Sequence, residues 1–313
     1  MKIKEIYFAG GCFWGVEHYF KQIDGVLETA VGYANGKTEN PTYEEVCRDN
    51  TGHAETVRVK YDENSITLKF LLDMFLDIID PTLLNRQGND IGVQYRTGVY
   101  YTDDNDYQTI KTFFEKISQQ YDNNIKTEIV KLQNFYEAEE YHQDYLNKNS
   151  GGYCHINISK FDKAKNKIVD PNFYSIKNRE LTKLQEDVAF HNATEKPYSS
   201  SYYDFDDEGI YVDIVSGEPL FLSSDKFFCA CGWPSFTKPI DPDVILYYKD
   251  TSHGMNRVEV RSRVADIHLG HVFEDDPVEK GGLRYCINGA VLEFIPKAKM
   301  KEQGYEKYIK YLK

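Results

Sequence analysis

The first half of the chain alternates strand and helix patterns. Strand patterns cover residues 5–9, 27–33, 54–61 and 98–101, and helix patterns cover residues 13–22, 68–79, 104–121 and 137–146. The clearest helix, residues 68–79, has apolar side chains at helical spacing and ends before Pro81, as helices commonly do. This alternation predicts a mixed α/β or α+β domain over residues 1–158.

The pattern changes beyond this first domain. Residues 159–178 are charged and polar with little apolar periodicity, so we interpret them as a linker. Short β runs broken by glycine and proline turns then predict a mainly β domain over residues 179–297, with one helix near residues 181–190. The clearest β runs are residues 210–215, 219–222, 258–264 and 290–296. Residues 298–313 are polar and Lys-rich, and we interpret them as a solvated tail.

Composition and charge narrow the range of partners. The chain has 313 residues, 41% of them hydrophobic, and a formal net charge of -13. This acidic balance argues against nucleic acid as a partner, because phosphate binding needs a basic surface. No apolar run approaches the roughly 18 residues of a membrane span, and the short apolar stretch at the N-terminus reads as a first strand. We therefore expect a cytoplasmic protein with no membrane partner.

The six cysteines carry the candidate chemistry. They are too few for a disulfide scaffold in a chain of this length, so each is either buried and inert or catalytic. Cys12 follows a strand and two glycines and opens a helix, and the free N–H groups of a helix start lower the pKa of a thiol there. The alternative, that Cys12 is a small core residue beside two packing aromatics, is left open by its position alone.

Several motifs together resemble methionine sulfoxide reductase A across the first half of the chain. The combination is specific, although no single motif is. The resemblance implies a ferredoxin-like two-layer sandwich of sheet and helices. The motifs are Gly11-Cys12-Phe13-Trp14-Gly15, Asn40-Pro41-Thr42-Tyr43, Gly52-His53-Ala54-Glu55-Thr56-Val57, Asn89-Asp90-Ile91-Gly92-Val93-Gln94-Tyr95-Arg96 and His142-Gln143-Asp144-Tyr145-Leu146.

This resemblance implies a thiol mechanism. Cys12 would attack the sulfoxide sulfur, and Glu55 would protonate the sulfoxide oxygen, which requires a buried carboxylic acid with a raised pKa. Cys154 would then condense with the sulfenic acid on Cys12 to form a disulfide. Cys47 reads instead as a packing residue in a helix.

The same resemblance implies a substrate pocket in this domain. Tyr43 and Tyr95 would bind the sulfoxide oxygen, and Asp90 would support them. Phe13 and Trp14 would form the pocket for the methyl group.

The second half resembles methionine sulfoxide reductase B, a mainly β domain of antiparallel sheets, from about residue 181 to residue 296. The resemblance implies Cys286 as the nucleophile and Cys231 as the resolving thiol. It implies a substrate site whose members are His268, His271 and Asn288 on the oxygen side and Trp233 on the methyl side, with His253 and Arg284 as further candidates. The motifs include Cys231-Gly232-Trp233-Pro234-Ser235-Phe236, Ser252-His253-Gly254-Met255, His268-Leu269-Gly270-His271-Val272-Phe273 and Gly282-Leu283-Arg284-Tyr285-Cys286-Ile287-Asn288.

Cys229 departs from the family pattern, in which a small residue is more usual at this position. It is either a spare thiol or an alternative resolving thiol. Cys229 and Cys231 with two histidines could also compose a Cys2His2 zinc set, but their spacing is not that of a zinc finger.

Many reductases B hold a structural zinc with two Cys-x-x-Cys pairs. Residues 213–216 and 262–265 stand in those places without cysteine. We therefore expect no zinc, and a β fold stabilised there by packing alone.

The chain as a whole therefore resembles a bifunctional methionine sulfoxide reductase, an A domain fused to a B domain. The resemblance implies action on the S-sulfoxide in the first half and on the R-sulfoxide in the second, in oxidised proteins or peptides. It implies thioredoxin as the electron donor and no organic cofactor. Two other readings stay open: a redox or metal sensor without catalysis, and a cysteine hydrolase that uses Cys12 and His53.

Overall fold

The computed structural model describes residues 1–149, 151–275 and 282–312, without the side chain of His253. The chain divides into two compact units, an N-terminal unit, Met1–Asp170, and a C-terminal unit, Pro171–Lys313. Among the described residues, no helix has both the length and the apolar character needed to cross a membrane.

The N-terminal unit is built on one six-stranded sheet. The strand order is β7-β6-β1-β3-β2-β8, antiparallel except for the parallel pair β6–β7. The strands are β1 (Ile3–Gly10), β2 (Val26–Ala34), β3 (Ala54–Asp62), β4 (Arg86–Gln87), β5 (Asp90–Ile91), β6 (Thr97–Tyr101), β7 (Glu128–Lys131) and β8 (Phe135–Glu137). The helices are α1 (Phe13–Lys21), α2 (Tyr43–Arg48), α3 (Leu68–Ile78), α4 (Asp104–Ser118), α5 (Tyr145–Lys148) and α6 (Ile158–Asn166).

Successive β1 residues point to opposite faces of this sheet. Phe8 belongs to the main core, where its ring lies 4.6 Å from Phe20 of α1 and 4.8 Å from Phe75 of α3. Tyr7 belongs to a smaller cluster on the other face, with Phe135 packed against it. The sheet is therefore covered by helices on one face, which confirms the predicted mixed sheet-and-helix architecture and its four long strand patterns.

The helix predicted over residues 137–146 is wrong. Most of that segment forms turns, and only α5 at its end is helical. The reason is that its polar side chains bond to strand β2, which is distant in sequence but adjacent in space. Gln143 bonds the backbone N–H and C=O of Val31 at 2.9 Å each, and Glu139 accepts the hydroxyl of Tyr33 at 2.8 Å. Asp144 also adopts a left-handed backbone conformation with φ 57°.

The segment predicted as a linker, residues 159–178, begins with helix α6. This helix packs against α1 and α3 of the N-terminal unit. Lys160 and Lys163 both pair with Asp77 of α3, at 2.7 and 3.1 Å. The division between the two units falls after Asp170, inside this segment.

The C-terminal unit is mainly antiparallel β, as predicted. A three-stranded sheet has the order β10-β9-β17, and a six-stranded sheet has the order β11-β12-β16-β15-β14-β13. The elements are α7 (Lys183–His191), β9 (Gly209–Asp213), β10 (Pro219–Leu222), β11 (Lys226–Phe227), β12 (Ser235–Phe236), β13 (Ile245–Asp250), β14 (Arg257–Ser262), β15 (His268–Phe273), β16 (Arg284–Ile287), β17 (Leu292–Pro296) and α8 (Lys297–Met300).

The interpretation of residues 298–313 as a solvated tail is wrong for the described part, which ends at residue 312. Met300 and Tyr308 are fully buried. The hydroxyl of Tyr305 donates to the carbonyl of Gly217 at 2.8 Å, and the hydroxyls of Tyr308 and Tyr174 lie 3.0 Å apart. Three buried side chains therefore pack into the unit, and the Lys307 ammonium lies over the rings of Phe173 and Tyr308.

Candidate active sites

Cys12 lies between the end of β1 and the first turn of α1, where it is the N-cap residue. The preceding Gly11 has φ +84°, a left-handed conformation that side chains other than glycine rarely adopt. A Cβ at Gly11 would also lie 2.7 Å from Cβ of Gln87. Both constraints require glycine here, and together they place the Cys12 thiol at the helix start with only 7% of the residue exposed.

Glu55 lies beside Cys12 because of the pairing of β1 with β3, in which Phe8 faces Val57. Its carboxylate accepts the backbone N–H of Phe13 at 3.0 Å, and the residue is 1% exposed. Burial raises the pKa of Glu55 to about 8, and the nearby Asp90 also raises it, although the Phe13 N–H acts in the other direction. At neutral pH this carboxyl therefore holds its proton.

The expectation that the helix start lowers the pKa of Cys12 is wrong for this site. Burial raises the pKa of the thiol, and the negative charge of Glu55 raises it further. The backbone N–H of Trp14 lowers it, but this effect is smaller than that of burial. The effect of the helix start is thus outweighed because the thiol is removed from water beside a carboxyl group.

Aromatic rings surround this thiol and carboxyl pair. Phe13 is almost fully buried, and its ring lies 6.4 Å from that of Trp14. Burial raises the pKa of both Tyr43 and Tyr95, and the charge of Glu55 is the second cause for each. The side chains expected to form a substrate pocket are therefore gathered around Glu55.

The sequence reasoning missed His142 and Glu139, which fix this pocket. Trp14 donates its indole N–H to Nδ1 of His142 at 3.1 Å, and the His142 ring lies 4.6 Å from the Tyr43 ring. Glu139 accepts the backbone N–H of Tyr43 at 3.0 Å. Indole N–H only donates, so Nδ1 of His142 is an acceptor and its proton is on Nε2. The His-Gln-Asp-Tyr motif contained this signal.

Cys154 lies close to Cys12 because glycine occupies position 15. A Cβ at Gly15 would lie 2.9 Å from Sγ of Cys154 and 3.1 Å from Cδ1 of Ile156. The Cys154 thiol is half-buried, and its charge acts on the pKa of Cys12. The two thiols therefore share one end of α1.

Asp90 and Cys47 also border this site. Nδ1 of His155, the residue after Cys154, is 3.9 Å from the carboxylate of Asp90. Cys47 lies in α2, where a helix was predicted, but its side chain is exposed instead of packed. Its thiol hydrogen-bonds the hydroxyl of Tyr43.

In the C-terminal unit, strand pairing brings the thiols together. Ser235 of β12 and His271 of β15 both face Cys286 of β16. The sulfur of Cys231 lies 3.9 Å from that of Cys286 and 3.3 Å from the hydroxyl oxygen of Ser235. The hydrogen bond with Cys286 lowers the pKa of Cys231 and raises that of Cys286. The hydrogen bond thus favours ionisation of Cys231 over that of Cys286.

A cavity of about 100 Å³ opens over Cys286. Its lining includes three of the predicted residues, Trp233, His271 and Asn288. His268 lines a neighbouring polar cavity together with His271. The predicted residue His253 lies outside the described side chains.

Two carboxylates that the sequence reasoning missed orient the histidines. Nδ1 of His268 lies 2.6 Å from Oε1 of Glu259, and Nε2 of His271 lies 2.7 Å from Oδ2 of Asp250. Burial lowers the pKa of His268, while Glu259 raises it. Each histidine therefore has one ring nitrogen committed to a carboxylate.

Glu195 is a further residue that the sequence reasoning missed. Its carboxylate accepts the N–H groups of Gly289 and Ala290, the latter at 3.0 Å. Its backbone N–H donates to Oδ1 of Asn288 at 3.0 Å, and its carbonyl accepts the indole N–H of Trp233 at 3.1 Å. One buried residue therefore holds two side chains of the cavity.

In many reductases B, cysteines in two turns bind zinc. In this chain, carboxylate side chains hold the corresponding turns. Among the described residues, no group of three or more His, Cys, Asp or Glu side chains is arranged to hold a metal. The buried carboxylate of Asp213 instead accepts the N–H groups of Val215 and Ser216 at 2.6 and 2.8 Å. Glu218 accepts Nε and Nη2 of Arg263 at 2.9 and 2.6 Å.

These donors do not fit zinc, because the carboxylates are committed and no thiolate is present. The expectation of packing alone is therefore wrong, since a buried ion pair and hydrogen bonds stabilise the two turns.

Comparisons with known proteins assign both units. A family model described as peptide methionine sulfoxide reductase matches residues 4–172, and one described as SelR domain matches residues 181–296. Mxr1 of Saccharomyces cerevisiae in reduced form is 42% identical over 50% of this chain and 92% of its own, with a TM-score of 0.48. Methionine sulfoxide reductase A of Corynebacterium diphtheriae is 39% identical over 49% of this chain and 77% of its own, with a TM-score of 0.47. Mxr1 in complex with Trx2 is 33% identical over 46% of this chain and 85% of its own, with a TM-score of 0.34.

Each unit thus presents a pair of neighbouring thiols in a domain that a reductase family model matches. The chain belongs to the peptide methionine sulfoxide reductase family, and a SelR domain follows in the same chain. It is an enzyme that reduces methionine sulfoxide, with the N-terminal domain acting on the S-sulfoxide and the C-terminal domain on the R-sulfoxide. That each of these two domain types serves one sulfur epimer is an established property of methionine sulfoxide repair.

The position of Glu195 generates a prediction. Glu195→Ala removes the carboxylate that fixes this residue, so Asn288 and Trp233 lose a fixed neighbour. Small displacements of positioned groups have large effects on rate, and we expect R-sulfoxide turnover to fall by about 10-fold or more. Glu195→Gln keeps one acceptor oxygen but turns its amide NH2 toward the other backbone N–H, so its rate should fall between those of Glu195→Ala and the wild type.

The measurement is steady-state reduction of each epimer by the full chain, with the S-sulfoxide rate as the internal control. If Glu195→Ala kept its R-sulfoxide rate within about twofold of the wild type, the positioning role would be excluded.

Proposed function

We propose that each domain reduces its sulfoxide through a sulfenic acid and an intradomain disulfide. The observation that carries this proposal is the pairing of thiols within each unit: Cys154 against Gly15 beside Cys12, and Cys231 3.9 Å from Cys286. A disulfide needs its sulfur atoms about 2 Å apart, so Cys231 and Cys286 have only a short approach to make.

In the N-terminal domain, Cys12 attacks the sulfoxide sulfur and Glu55 donates its proton to the oxygen. Attack forms a bond between the Cys12 sulfur and the methionine sulfur. The protonated oxygen then moves to the Cys12 sulfur while its bond to the methionine sulfur and the bond between the two sulfurs break, which leaves a sulfenic acid on Cys12 and releases methionine. The thiol proton of Cys12 replaces the one that Glu55 gave. Cys154 then attacks the sulfenic acid, which forms the disulfide and releases water. The protonated state of Glu55 at neutral pH supports its role as the acid.

The surrounding side chains would bind the substrate. Tyr43 and Tyr95 would donate hydroxyl hydrogens to the sulfoxide oxygen, and burial keeps both phenols protonated. Asp90 would support the acid, since its charge raises the pKa of Glu55. Phe13 and Trp14 would take the methyl group against their rings.

In the C-terminal domain, Cys286 is the proposed nucleophile and Cys231 the resolving thiol. The geometry supports this division of roles, because Cys286 lines the cavity and the sulfur of Cys231 lies beside it at 3.9 Å, within reach of a sulfenic acid formed there. Attack forms the disulfide between the two sulfurs and releases hydroxide, which takes up a proton to become water.

The proposed R-sulfoxide site is the cavity above Cys286. His271 and Asn288 lie in its lining and would face the sulfoxide oxygen, with His268 beside them. Trp233 would face the methyl group. His253, with no described side chain, stays a candidate from the resemblance alone.

Each cycle ends with a disulfide that an external dithiol must reduce. We propose thioredoxin as this donor, as the family resemblance implies, and no organic cofactor. A cytoplasmic location and a role under oxidative stress belong to this proposal, because the cycle needs a compartment that keeps thiols reduced.

Fusion of the domains would give each a high local concentration on one oxidised protein. The covalent connection would lie within residues 159–178, where the chain divides.

The assignment of the two nucleophiles predicts a separation of activities. Cys12→Ser removes the sulfur that attacks the S-sulfoxide, so it should lose S-sulfoxide reduction and keep R-sulfoxide reduction. Cys286→Ser should do the opposite. Cys47→Ser, the control at a thiol outside both proposed pairs, keeps a hydroxyl that can bond the Tyr43 hydroxyl and should keep both activities.

The measurement is reduction of separate S- and R-sulfoxide peptides with dithiothreitol. Loss of both activities in either nucleophile variant, or of neither, would refute the assignment.

The pKa of Glu55 predicts a titration near pH 8. Because the pKa is raised above its ordinary value, to about 8, the carboxyl is protonated at pH 7 and ionises as the pH rises through that value. Its C=O stretch in infrared spectra, identified by subtracting the Glu55→Gln spectrum, should disappear between about pH 7 and 9.

Glu55→Gln cannot transfer a proton and should slow methionine release from the S-sulfoxide by about 10²–10⁴-fold, without effect on the R-sulfoxide. A band already absent at pH 7, or an unchanged rate, would contradict the role of Glu55 as the acid.

A further inference from the structure

A third thiol lies in the C-terminal site and has no part in the cycle described above. Cys229 is two residues before Cys231, and the Cys231 N–H points at its sulfur at 3.3 Å. The thiol of Cys229 also hydrogen-bonds Cys231, as does that of Cys286. Cys231 therefore contacts the thiols of both Cys229 and Cys286.

The three sulfurs differ in access to solvent. All three residues are partly exposed, and protein atoms surround Cys286 most closely, Cys231 less and Cys229 least. The neighbours of Cys229 in the chain are exposed, with Phe228 at 71% and Ala230 also on the surface. An incoming protein reductant therefore meets Cys229 before it meets the other two.

The charge around Cys229 also suits exchange. Burial raises the pKa of Cys229, and the hydrogen bond with Cys231 and burial raise that of Cys286, while Arg284 of β16, which also pairs with Asp275, acts in the opposite direction on both. A cation that stabilises both thiolates serves the attacking thiol and the leaving thiol alike.

We propose that Cys229 moves the disulfide from the buried site to the surface. This inference rests on the proposed function, since it begins from the disulfide between Cys231 and Cys286. The sulfur of Cys229 attacks that of Cys231, a Cys229–Cys231 bond forms, and the Cys231–Cys286 bond breaks. Cys286 leaves with the electron pair and takes up the proton that Cys229 gave, so the step involves no net oxidation.

The product of this exchange suits a relay. A disulfide between cysteines two residues apart closes a small ring, and strained or exposed disulfides are the easily reduced ones. The Cys229–Cys231 form would be a minor species at equilibrium, but the one that the reductant removes fastest. Exchange would also free Cys286 for the next substrate before the reductant has finished.

The test uses the full chain with Cys229→Ser, and with Ala230→Ser as a control in the same segment that keeps all three thiols. In a single turnover without reductant, both variants should release as much methionine from the R-sulfoxide as the wild type. With thioredoxin as the reductant, Cys229→Ser should recycle about 10-fold more slowly, while Ala230→Ser should match the wild type.

A labelling experiment detects the exchange directly. Wild-type protein oxidised by one turnover is treated with an alkylating agent, and the labelled cysteines are identified by mass spectrometry. Exchange predicts slow labelling of Cys286 as well as of Cys229, and no labelling of Cys286 in oxidised Cys229→Ser.

The outcomes separate this inference from the proposed function. If wild type releases no methionine in the single turnover, the proposed function fails and the relay fails with it. If the single turnover is normal but Cys229→Ser recycles like the wild type, or Cys286 is never labelled, the relay alone is refuted. A loss of the single turnover in Cys229→Ser would also overturn it, because Cys229 would then act before the disulfide.

Discussion

The N-terminal site depends on one hydrogen bond, from the backbone N–H of Phe13 to the carboxylate of Glu55. It joins the first turn of α1 to strand β3, so the helix that presents Cys12 cannot move independently of the carboxyl. Burial raises the pKa of Glu55 to about 8, and the same bond acts against this effect. The buried position of Glu55 beside the first turn of α1 therefore accounts for both its location and its protonation state.

This arrangement requires glycine at two positions. Gly11 accepts a left-handed backbone between β1 and α1, and Gly15 leaves the space in which the Cys154 thiol lies. A larger residue at either position would displace a neighbour of Cys12. The arrangement around Cys12 at the start of α1 therefore depends on the absence of a side chain at Gly11 and Gly15.

The C-terminal unit reaches a similar result with strands alone. Antiparallel pairing sets Ser235 and His271 on either side of Cys286, and Cys231 enters from the segment before β12. Carboxylates from β13 and β14 hold the histidines, and Glu195 holds the side chains at the other end of the cavity. The two domains have unrelated folds, and each places its own thiol pair close to hydrogen-bonding side chains.

Much of this could be predicted from the sequence. The periodic segments gave the main strands and helices, and the joint motifs gave the family, the thiols and Glu55. The helix predicted over residues 137–146 failed because Glu139 and Gln143 bond to distant strands, and no local pattern reveals such partners.

The same limit explains why the contacts of Glu195 and the raised pKa of Cys12 could not be predicted from the sequence. Each depends on which groups lie nearby in space and on how much water is removed. The buried tail was missed because its three apolar contacts are spaced among lysines.

The most direct test of the account is to map the disulfides formed in one turnover without reductant. Full-length protein is given one equivalent of S- or R-sulfoxide peptide, free thiols are blocked, and linked peptides are identified by mass spectrometry. The proposed mechanism predicts a Cys12–Cys154 disulfide after reaction with the S-sulfoxide. After reaction with the R-sulfoxide it predicts a disulfide among Cys229, Cys231 and Cys286. Methionine release with no disulfide, or with a link between the two units, would contradict it.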